Sequence, residues 1–425
     1  MMARFLYTLL LWLSLPYIAL HLWMRSRKQP EYLEHVGERF GKYEPYKDKL
    51  VIWLHTVSVG ETRAVASLVK QLRETWPDHQ LLLTHTTPTG RAESERLFGD
   101  DVIRVYLPYD YPFAVRKFLE NFRPAVGVLM ETEIWPNLIH ACNERGIPLL
   151  LLNARMSEKS ATRYAKYPKL TRAALTELSG IAAQTQTDAR RLEQLGAQEV
   201  EVMGNLKFDI QPPQEMLELG KVLRRRFGET RKIFLAASTR EGEEELLLSA
   251  LESAGIPGLL TVIVPRHPQR FDEVAALLAE RKLRFVRRSE EGDVPENVQI
   301  VLGDSMGEMF AYYAACDVAF IGGSLLPFGG QNLLEACALG RPVLIGPHTY
   351  NFADAARLAV ESGAALRVAE AEALSNKLQE LFANAARLDD MGRAGMAFVR
   401  ENQGATAQAM RHIGECMKQN SCVSR

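Results

Sequence analysis

A glycine-rich segment in the second half of the chain has the residue types of a nucleotide-binding loop. A predicted strand ends at Gly322-Gly323, and a second glycine pair, Gly329-Gly330, precedes a helix predicted to start near Asn332. Glycine lets backbone N–H groups approach an anion, and a helix N-terminus favours negative charge. Glu335 falls in the first turn, where its carboxylate could accept ribose hydroxyls. A tight turn with a helix-start carboxylate explains only part of this pattern, so we predict nucleotide binding.

Four other polar segments follow predicted strands, at the edge where parallel sheets bind ligands. They are Ser58–Glu61, Glu131–Glu133, Gly204–Lys207 and Pro265–His267. A glutamate at this edge can accept a proton from an attacking hydroxyl, and a cation can stabilise a departing phosphate. Each residue also has a purely structural explanation. The glutamates could complement helix dipoles, Arg266 could pair with a surface carboxylate, and Lys207 could be a solvated turn residue.

In combination, these segments resemble one glycosyltransferase family. The run from Gly329 to Val343, GGQNLLEACALGRPV, looks like the donor-domain signature of glycosyltransferases with two Rossmann domains, the GT-B fold. The other motifs resemble those of 3-deoxy-D-manno-octulosonic acid (Kdo) transferases that act on lipid A. They are HTVSVGE from His55, METEIWP from Met130, GNLKFD from Gly204 and VPRHP from Val264.

The resemblance implies a substrate pair and a role for each matched residue. The donor would be CMP-Kdo, and the acceptor would be the 6′-hydroxyl of the tetraacylated lipid A precursor (lipid IVA), with inversion at the anomeric carbon. By the same resemblance, Glu61 would be the proton acceptor, and Glu131 and Lys207 would stabilise the transition state. The CMP site would comprise Pro265, Arg266, Met306, Gly307, Glu308, Asn332, Leu333, Leu334 and Glu335.

Composition argues against several other kinds of site. No Asp-x-Asp motif occurs in the sequence, so we expect neither a catalytic metal nor another cofactor, with Arg266 and two helix N-termini holding the phosphate. The five cysteines are scattered, without the spacing of a zinc site. The net charge of −1 does not favour nucleic acid as a partner.

Two other functions share some of these features. A sugar-nucleotide epimerase of the same fold, acting on a UDP-amino sugar, would have the donor-domain signature but no use for an N-terminal membrane segment. A membrane-tethered sugar-binding protein with an inactive donor site would not require Glu61, Lys207 and the nucleotide loop together. CMP release that depends on the acceptor would distinguish the transferase from both.

The elements that must position these residues alternate between short apolar strands and amphipathic helices. This alternation predicts an α/β protein with two doubly wound parallel sheets and a cleft between the two domains. The predicted segments are 1–28 (membrane anchor and basic segment), 29–210 (acceptor domain), 211–230 (linker), 231–402 (CMP-Kdo domain) and 403–425 (C-terminal helix). Neither half contains the glycine motif of dinucleotide or P-loop proteins.

The N-terminal segment predicts membrane attachment. Phe5 to Met24 contains no charged residue, and a helix of that length would measure about 30 Å, the thickness of a bilayer's hydrocarbon core. Arg25, Arg27 and Lys28 follow at once, which favours a body on the cytoplasmic side of the bacterial inner membrane. A cleaved signal peptide fits less well because no small-residue cleavage site is present. Pro16 leaves open a helix that lies in the membrane interface instead of spanning.

Overall fold

The computed structural model of the 425-residue chain describes residues 2–27, 29–290 and 292–423. The chain forms two compact units, one comprising Met1–Asp209 with Gln403–Arg425 and the other Ile210–Asn402. Each unit is built around a seven-stranded parallel sheet with helices following its strands. The predicted fold class of two doubly wound α/β domains is therefore confirmed.

The first unit contains strands β1–β7 and helices α1–α9. The strands are β1 (Val51–His55), β2 (Gln80–His85), β3 (Ile103–Tyr106), β4 (Pro124–Met130), β5 (Leu149–Ala154), β6 (Gly180–Ala183) and β7 (Glu201–Val202). The helices are α1 (Met2–Ser26), α2 (Val59–Ala64), α3 (Ala66–Thr75), α4 (Pro88–Phe98), α5 (Pro112–Phe122), α6 (Pro136–Glu144), α7 (Glu158–Ala165), α8 (Pro168–Thr176) and α9 (Gln186–Gln194).

The strand order of the first sheet explains where its polar residues gather. The order is β3-β2-β1-β4-β5-β6-β7, so the chain winds outward from β1 in one direction and then restarts at β4 on the other side. Strands buried on both faces read as continuous apolar runs, which is the pattern of β1 and β5. The carboxyl ends of β1 and β4 lie at the point of reversal, where open α/β sheets bind ligands.

The second unit repeats this plan. Its strands are β8 (Ile233–Thr239), β9 (Leu260–Pro265), β10 (Phe285–Arg287), β11 (Ile300–Leu302), β12 (Val318–Ile321), β13 (Val343–Ile345) and β14 (Ala365–Arg367), in the order β10-β11-β9-β8-β12-β13-β14. Its helices are α10 (Gln214–Phe227), α11 (Glu243–Ala254), α12 (Phe271–Glu280), α13 (Met309–Ala315), α14 (Leu334–Ala338), α15 (Ala353–Glu361), α16 (Ala371–Ala383) and α17 (Ala385–Glu401). The sheet reverses at β8 and β12.

The segment 211–230, predicted as a linker, belongs to the second unit instead. Helix α10 occupies most of it and packs against α13. Gly220 makes this packing possible, because a Cβ there would lie 2.4 Å from the Cβ of Ala314. Arg224 adds an ion pair to Asp317 at 3.1 Å. The charged sequence suggested a connector, but its glycine and apolar positions form one packed face.

The last helix, α18 (Ala405–Val423), returns to the first unit. Its buried face consists of Ala405, Ala409, Ile413 and Cys416, and it joins the apolar cluster on one side of the first sheet. Asp209 accepts hydrogen bonds from the backbone N–H groups of Gly404 and Thr406, which fixes the start of the helix. Residues 403–425 are thus a structural part of the first unit.

Helix α1 is long and apolar enough, by length and composition, to cross a membrane. It covers the predicted anchor from Phe5 to Met24. The basic residues Arg25 and Arg27 follow as the sequence suggests, whereas Lys28 lies outside the described residues. One side of α1 is covered by the first unit and the other side is exposed.

Candidate active site

Glu61 lies at the start of α2, directly beyond the carboxyl end of β1. Its carboxylate accepts hydrogen bonds from the backbone N–H of Val57 at 2.8 Å and from the hydroxyl of Ser58 at 2.9 Å. Ser58 is the N-cap of α2 and accepts the N–H of Glu61 in return, which resembles a capping box. The predicted glutamate is therefore held in one orientation by its own helix start.

Burial decides the protonation behaviour of Glu61. The residue is only 8% exposed, and burial, followed by the negative charge of Glu131, raises the pKa of its carboxyl group to about 7. The hydrogen bonds from Val57 and Ser58 oppose this shift but do not cancel it. A carboxyl group with this pKa can take up a proton at neutral pH, which is what a general base must do.

Glu131 and Lys207 come together beside Glu61. Glu131 follows β4 with a φ of 56°, a left-handed conformation that is rare for glutamate. Residues with such strained backbone conformations cluster at functional sites. The Nζ atom of Lys207 lies 3.5 Å from Oε1 of Glu131, and the two side chains are 26% and 20% exposed. The three residues predicted as catalytic thus form one cluster at the carboxyl ends of the central strands.

Asn153 holds Lys207 in place, and sequence reasoning did not single it out. This residue is buried in β5 with a φ of 52°, and its side-chain oxygen accepts the N–H of Leu206 at 3.1 Å. Asn205 then caps the short 3₁₀ turn by accepting the N–H of Lys207 at 3.0 Å. The contact between Asn153 and Leu206 joins residues far apart in the sequence. The one available signal was an asparagine within an apolar strand, because asparagine adopts the left-handed conformation more readily than most residues.

His55 and Glu133 complete the polar edge of the first sheet. His55 ends β1 and is fully buried, with Nδ1 within 3.0 Å of the Thr84 carbonyl and Nε2 3.7 Å from Glu133. The indole N–H of Trp135 donates to Glu133 at 2.7 Å. The interaction with His55 lowers the pKa of the Glu61 carboxyl group, against the effects of burial and Glu131. His55 therefore limits the rise in the Glu61 pKa that burial causes.

In the second unit, a buried carboxylate organises the predicted glycine-rich loop. Glu243, at the start of α11, accepts hydrogen bonds from the backbone N–H groups of Gly323 at 2.6 Å, Leu325 at 3.0 Å and Arg240 at 2.9 Å. A Cβ at Gly322 would lie 2.3 Å from the carbonyl oxygen of Ser238, so glycine is required there. Sequence reasoning missed Glu243 because it lies about eighty residues before Gly323 and Leu325, the loop residues that it holds.

Asn332 and Glu335 are brought together, but the helix that carries them differs from the prediction. Helix α14 begins at Leu334 and has five residues, so its dipole is smaller than that of a full helix. The side chain of Asn332 accepts the N–H of Leu334 and donates to Glu335 at 3.0 Å. Leu333 and Leu334 are buried, which leaves only their backbone for a ligand.

Arg266 lies beyond the carboxyl end of β9, after the buried Pro265. Its backbone N–H donates to the carbonyl of Thr239 at 3.0 Å. Burial lowers the pKa of His267, and the nearby cations Arg240 and Arg266 lower it further. Cations therefore gather at this edge, which suits a phosphate.

Arg266 and Glu335 both act electrostatically on the buried hydroxyl of Tyr313. Burial raises the pKa of Tyr313, Glu335 raises it further, and Arg266 opposes the rise. Two residues predicted for the CMP site, from loops some seventy residues apart, are thus within reach of one side chain on α13.

The third predicted CMP segment, Met306 to Glu308, follows β11. Glu308 precedes α13, accepts the hydroxyl of Ser305 at 2.7 Å and forms an ion pair with Arg288 at 3.2 Å. Gly307 has a φ of 83°, and the side chain of Met306 is 61% exposed. The segment adjoins the same helix α13, so the predicted CMP residues line one edge of the second sheet.

Comparison with known proteins identifies the family of each unit. Residues 34–210 match the family model described as 3-deoxy-D-manno-octulosonic-acid transferase (kdotransferase), and residues 245–398 match glycosyl transferases group 1. The first match contains the Glu61, Glu131 and Lys207 cluster. The second contains the candidate CMP residues.

Relatives extend over the whole chain. The 3-deoxy-D-manno-octulosonic acid transferase of Bordetella pertussis is 43% identical, over 96% of this chain and 98% of the relative, and that of Haemophilus influenzae is 38% identical over 99% and 100%. In fold, the chain resembles the Neisseria meningitidis UDP-GlcNAc 2-epimerase (TM-score 0.58, 15% identity, 86% of this chain and 100% of that one) and Acinetobacter baumannii MurG (TM-score 0.55, 13% identity, 86% and 99%). The full-length matches decide between the transferase and the epimerase, and the chain belongs to the family of 3-deoxy-D-manno-octulosonic acid (Kdo) transferases, which are glycosyltransferases.

Proposed function

We propose that this transferase moves Kdo from CMP-Kdo to the 6′-hydroxyl of the tetraacylated lipid A precursor, with inversion at the anomeric carbon. The observation that carries the proposal is the Glu61 carboxyl group, with a pKa of about 7, beside the Glu131–Lys207 pair. Such a group accepts a proton near neutral pH and returns it to solvent afterwards.

In the proposed step, the acceptor oxygen forms a bond to the anomeric carbon of Kdo. The bond from that carbon to the phosphate oxygen breaks, and CMP leaves with the electron pair. Glu61 takes the proton of the attacking hydroxyl. Glu131 and Lys207 would stabilise the transition state, in which the anomeric carbon gains positive character that the Glu131 carboxylate favours.

We assign CMP binding to the second unit and acceptor binding to the first. Arg266 would bind the phosphate through a charge-assisted hydrogen bond, and Glu335, held by Asn332, would accept the ribose hydroxyls. Met306 to Glu308 and the backbone at Leu333 and Leu334 would complete the nucleotide site. Arg266 would offset the charge of the phosphate, so we propose a reaction that needs no metal ion or other cofactor.

The acceptor is a membrane lipid, so the enzyme must work at a membrane surface. Helix α1 supports attachment to the bacterial inner membrane, and the basic residues Arg25 and Arg27 at its end support a body on the cytoplasmic side. The first unit carries both α1 and Glu61, which fits a unit that receives the lipid.

The test measures CMP release from CMP-Kdo by the purified full-length protein, with and without the tetraacylated precursor, and with and without EDTA. We expect release only with the acceptor, no loss with EDTA, and a product bearing Kdo at the 6′ position in the inverted configuration. Release without acceptor would contradict glycosyl transfer. Loss of activity with EDTA, restored by Mg²⁺, would contradict the metal-free assignment alone.

A further inference from the structure

The covered positions of α1 form a stripe that runs along nearly its whole length. They recur at Arg4, Tyr7, Leu11, Leu15, Ile18 and Leu22, at intervals of three and four residues. This is the spacing of one face of an α-helix. From Tyr7 to Leu22 the stripe measures about 22 Å at 1.5 Å per residue. A helix that left the protein body to cross a bilayer would instead be covered at one end only.

Polar contacts fasten the first half of α1 to the body. The Tyr7 hydroxyl donates to the carboxylate of Asp110 at 3.0 Å, and the side chains of Thr8 and Asn137 are hydrogen-bonded at 3.1 Å. The hydroxyl of Tyr111 donates to the carbonyl oxygen of Leu11 at 2.7 Å. We call these three contacts the α1 clip.

Asp110 is a buried part of the body that α1 joins. Its carboxylate also accepts the N–H groups of Asn137 at 2.9 Å and Leu138 at 2.8 Å, which caps the start of α6. Trp12 extends the clip by packing on Tyr111, with ring centroids 5.1 Å apart. The clip therefore attaches α1 to the fold itself and not to a loose surface loop.

The opposite side of α1 is apolar and uncovered. Phe5, Leu9, Leu13 and Leu20 are between 46% and 71% exposed. Trp23 lies near the end of the helix, and the guanidinium of Arg27 stacks over its ring at 4.0 Å. Aromatic and basic residues together are typical of the boundary between headgroups and acyl chains.

The body next to α1 carries the charge expected of a surface facing anionic lipids. Helix α8 contacts α1. Residues 155–172, which include α7 and most of α8, contain six cationic side chains and one carboxylate, and all six cations are exposed. Each cation close to an anionic membrane surface strengthens binding to that surface. If α1 spanned the bilayer with its clip intact, these cations would be drawn into hydrocarbon, where a charged side chain is strongly disfavoured.

We infer that α1 does not span the membrane but lies in its interface, clipped lengthwise to the first unit, with Phe5, Leu9, Leu13 and Leu20 in contact with the acyl chains of one leaflet. The partner of this face is the lipid surface itself. The first unit would then be held against the leaflet from which a lipid acceptor must be drawn. This inference rests on the proposed membrane attachment and adds its geometry.

Trp12 distinguishes the two arrangements because it lies midway along α1. A spanning helix puts its ring near the bilayer centre, whereas an interfacial helix puts it close to the headgroups. The experiment measures tryptophan fluorescence of the full-length protein in vesicles containing anionic lipid brominated either near the carbonyl group or near the chain terminus. The contribution of Trp12 is the difference from W12F, and W23F provides the matched control near the end of the helix.

We expect Trp12 to be quenched at least twofold more by the shallow bromines than by the deep ones, as for Trp23. Stronger quenching of Trp12 by the deep bromines would overturn the interfacial arrangement while leaving membrane attachment intact. No quenching by either lipid would contradict membrane attachment itself.

A second measurement does not depend on fluorescence. Single-cysteine variants M2C and R27C place a thiol at each end of α1, and E361C reports the side of the second unit. A membrane-impermeant maleimide should label all three from the same side of sealed membrane vesicles. Labelling of M2C from the opposite side to R27C would overturn the inference. Retained transferase activity shows that each variant is folded.

Discussion

At the scale of single residues, the candidate site depends on the environment of Glu61. The helix dipole at the start of α2 favours a carboxylate, whereas burial disfavours it, and the sequence could not decide between them. The structure shows that burial dominates, with Glu131 acting in the same direction. The pKa that would suit Glu61 to the proposed role of base therefore comes from its surroundings.

E61Q should separate catalysis from binding. The amide keeps an oxygen that can accept the Val57 N–H but cannot take the acceptor proton, so we expect kcat to fall by about 10²–10⁴-fold with CMP-Kdo affinity unchanged. In the wild type, kcat should decline as the pH falls below about 7, where Glu61 becomes protonated. Near-wild-type turnover of E61Q at saturating substrate would reduce Glu61 to a helix-start residue.

The same variant should gain stability at alkaline pH. The folded pKa of Glu61, about 7, lies above its ordinary 4.5, so its contribution to stability is present below 4.5 and is lost as the pH rises through 7. E61Q has no such loss. Relative to wild type, its free energy of unfolding should rise by up to about 3 kcal/mol between these pH values. Denaturant titrations at pH 4.5 and pH 8 measure the difference.

Glu131 and Lys207 should move the acidic limb of the pH profile in opposite directions. Because the Glu131 charge raises the pKa of Glu61, E131Q should shift the limb to lower pH. K207M leaves Glu131 uncompensated, so it should shift the limb to higher pH and cut kcat by about 10²–10³-fold. Lys221, an exposed lysine of α10, provides the control K221M. Unchanged limbs in both variants would show that the cluster is not electrostatically coupled.

R266A tests the nucleotide site. Losing a charge-assisted hydrogen bond to phosphate costs about 1.5–3 kcal/mol, which corresponds to a roughly tenfold to hundredfold weaker affinity for CMP. The matched control is R357A, whose exposed side chain pairs with Glu361 on α15. Calorimetry that gives R266A the CMP affinity of R357A would remove Arg266 from the site.

The residues that the sequence identified and those that it missed differ in a physical way. Glu61 and Glu131 follow the buried strands β1 and β4, and Lys207 follows the two-residue edge strand β7, and all three were predicted at the carboxyl edge of one sheet. Asn153 and Glu243 act through backbone N–H groups of segments distant in sequence, which no local pattern records. The clustering of the first three was predictable, but the support that fixes them was not.

At the scale of elements, long buried strands were easier to predict than short edge strands. Strands β10 and β14 have three residues each and lie at the edges of the second sheet, where few buried positions mark them. The start of α14 was predicted near Asn332 but falls at Leu334. Asn332 explains the later start of the helix, because its side chain accepts the N–H of Leu334 and keeps the preceding turn outside the helix.

Glu243 links α11 to the glycine-rich loop through hydrogen bonds, and E243Q tests whether this link shapes the loop. The amide offers one acceptor oxygen where the carboxylate offers two, so at least one of three backbone N–H groups loses its partner. We expect a loss of about 1–3 kcal/mol in stability and weaker CMP binding. E245Q, exposed on the same helix turn, is the control. Equal CMP affinities in a folded E243Q would show that the loop is shaped without Glu243.

At the scale of the whole molecule, the chain crosses between the two units twice. Strand and helix alternation predicted two units, each with its own parallel sheet, because each sheet gives a separate series of alternating strands and helices. It did not predict that residues 403–425 return to the first unit, because an amphipathic helix shows that it has a buried face without showing which surface covers it. Ile413 lies at the centre of that face, fully buried among residues of the first unit.

I413A should therefore weaken the unit that contains Glu61 and spare the unit that we assign to CMP. Truncating a buried isoleucine costs about 2–5 kcal/mol, through lost burial and the cavity left behind. Amide hydrogen exchange should increase across β1, β4 and β5 and stay unchanged across β8, β9 and β12, with CMP affinity preserved. E415A, on the exposed side of α18, should change neither. Faster exchange in the second sheet of I413A would mean that the last helix supports both units and that their stabilities are not separable.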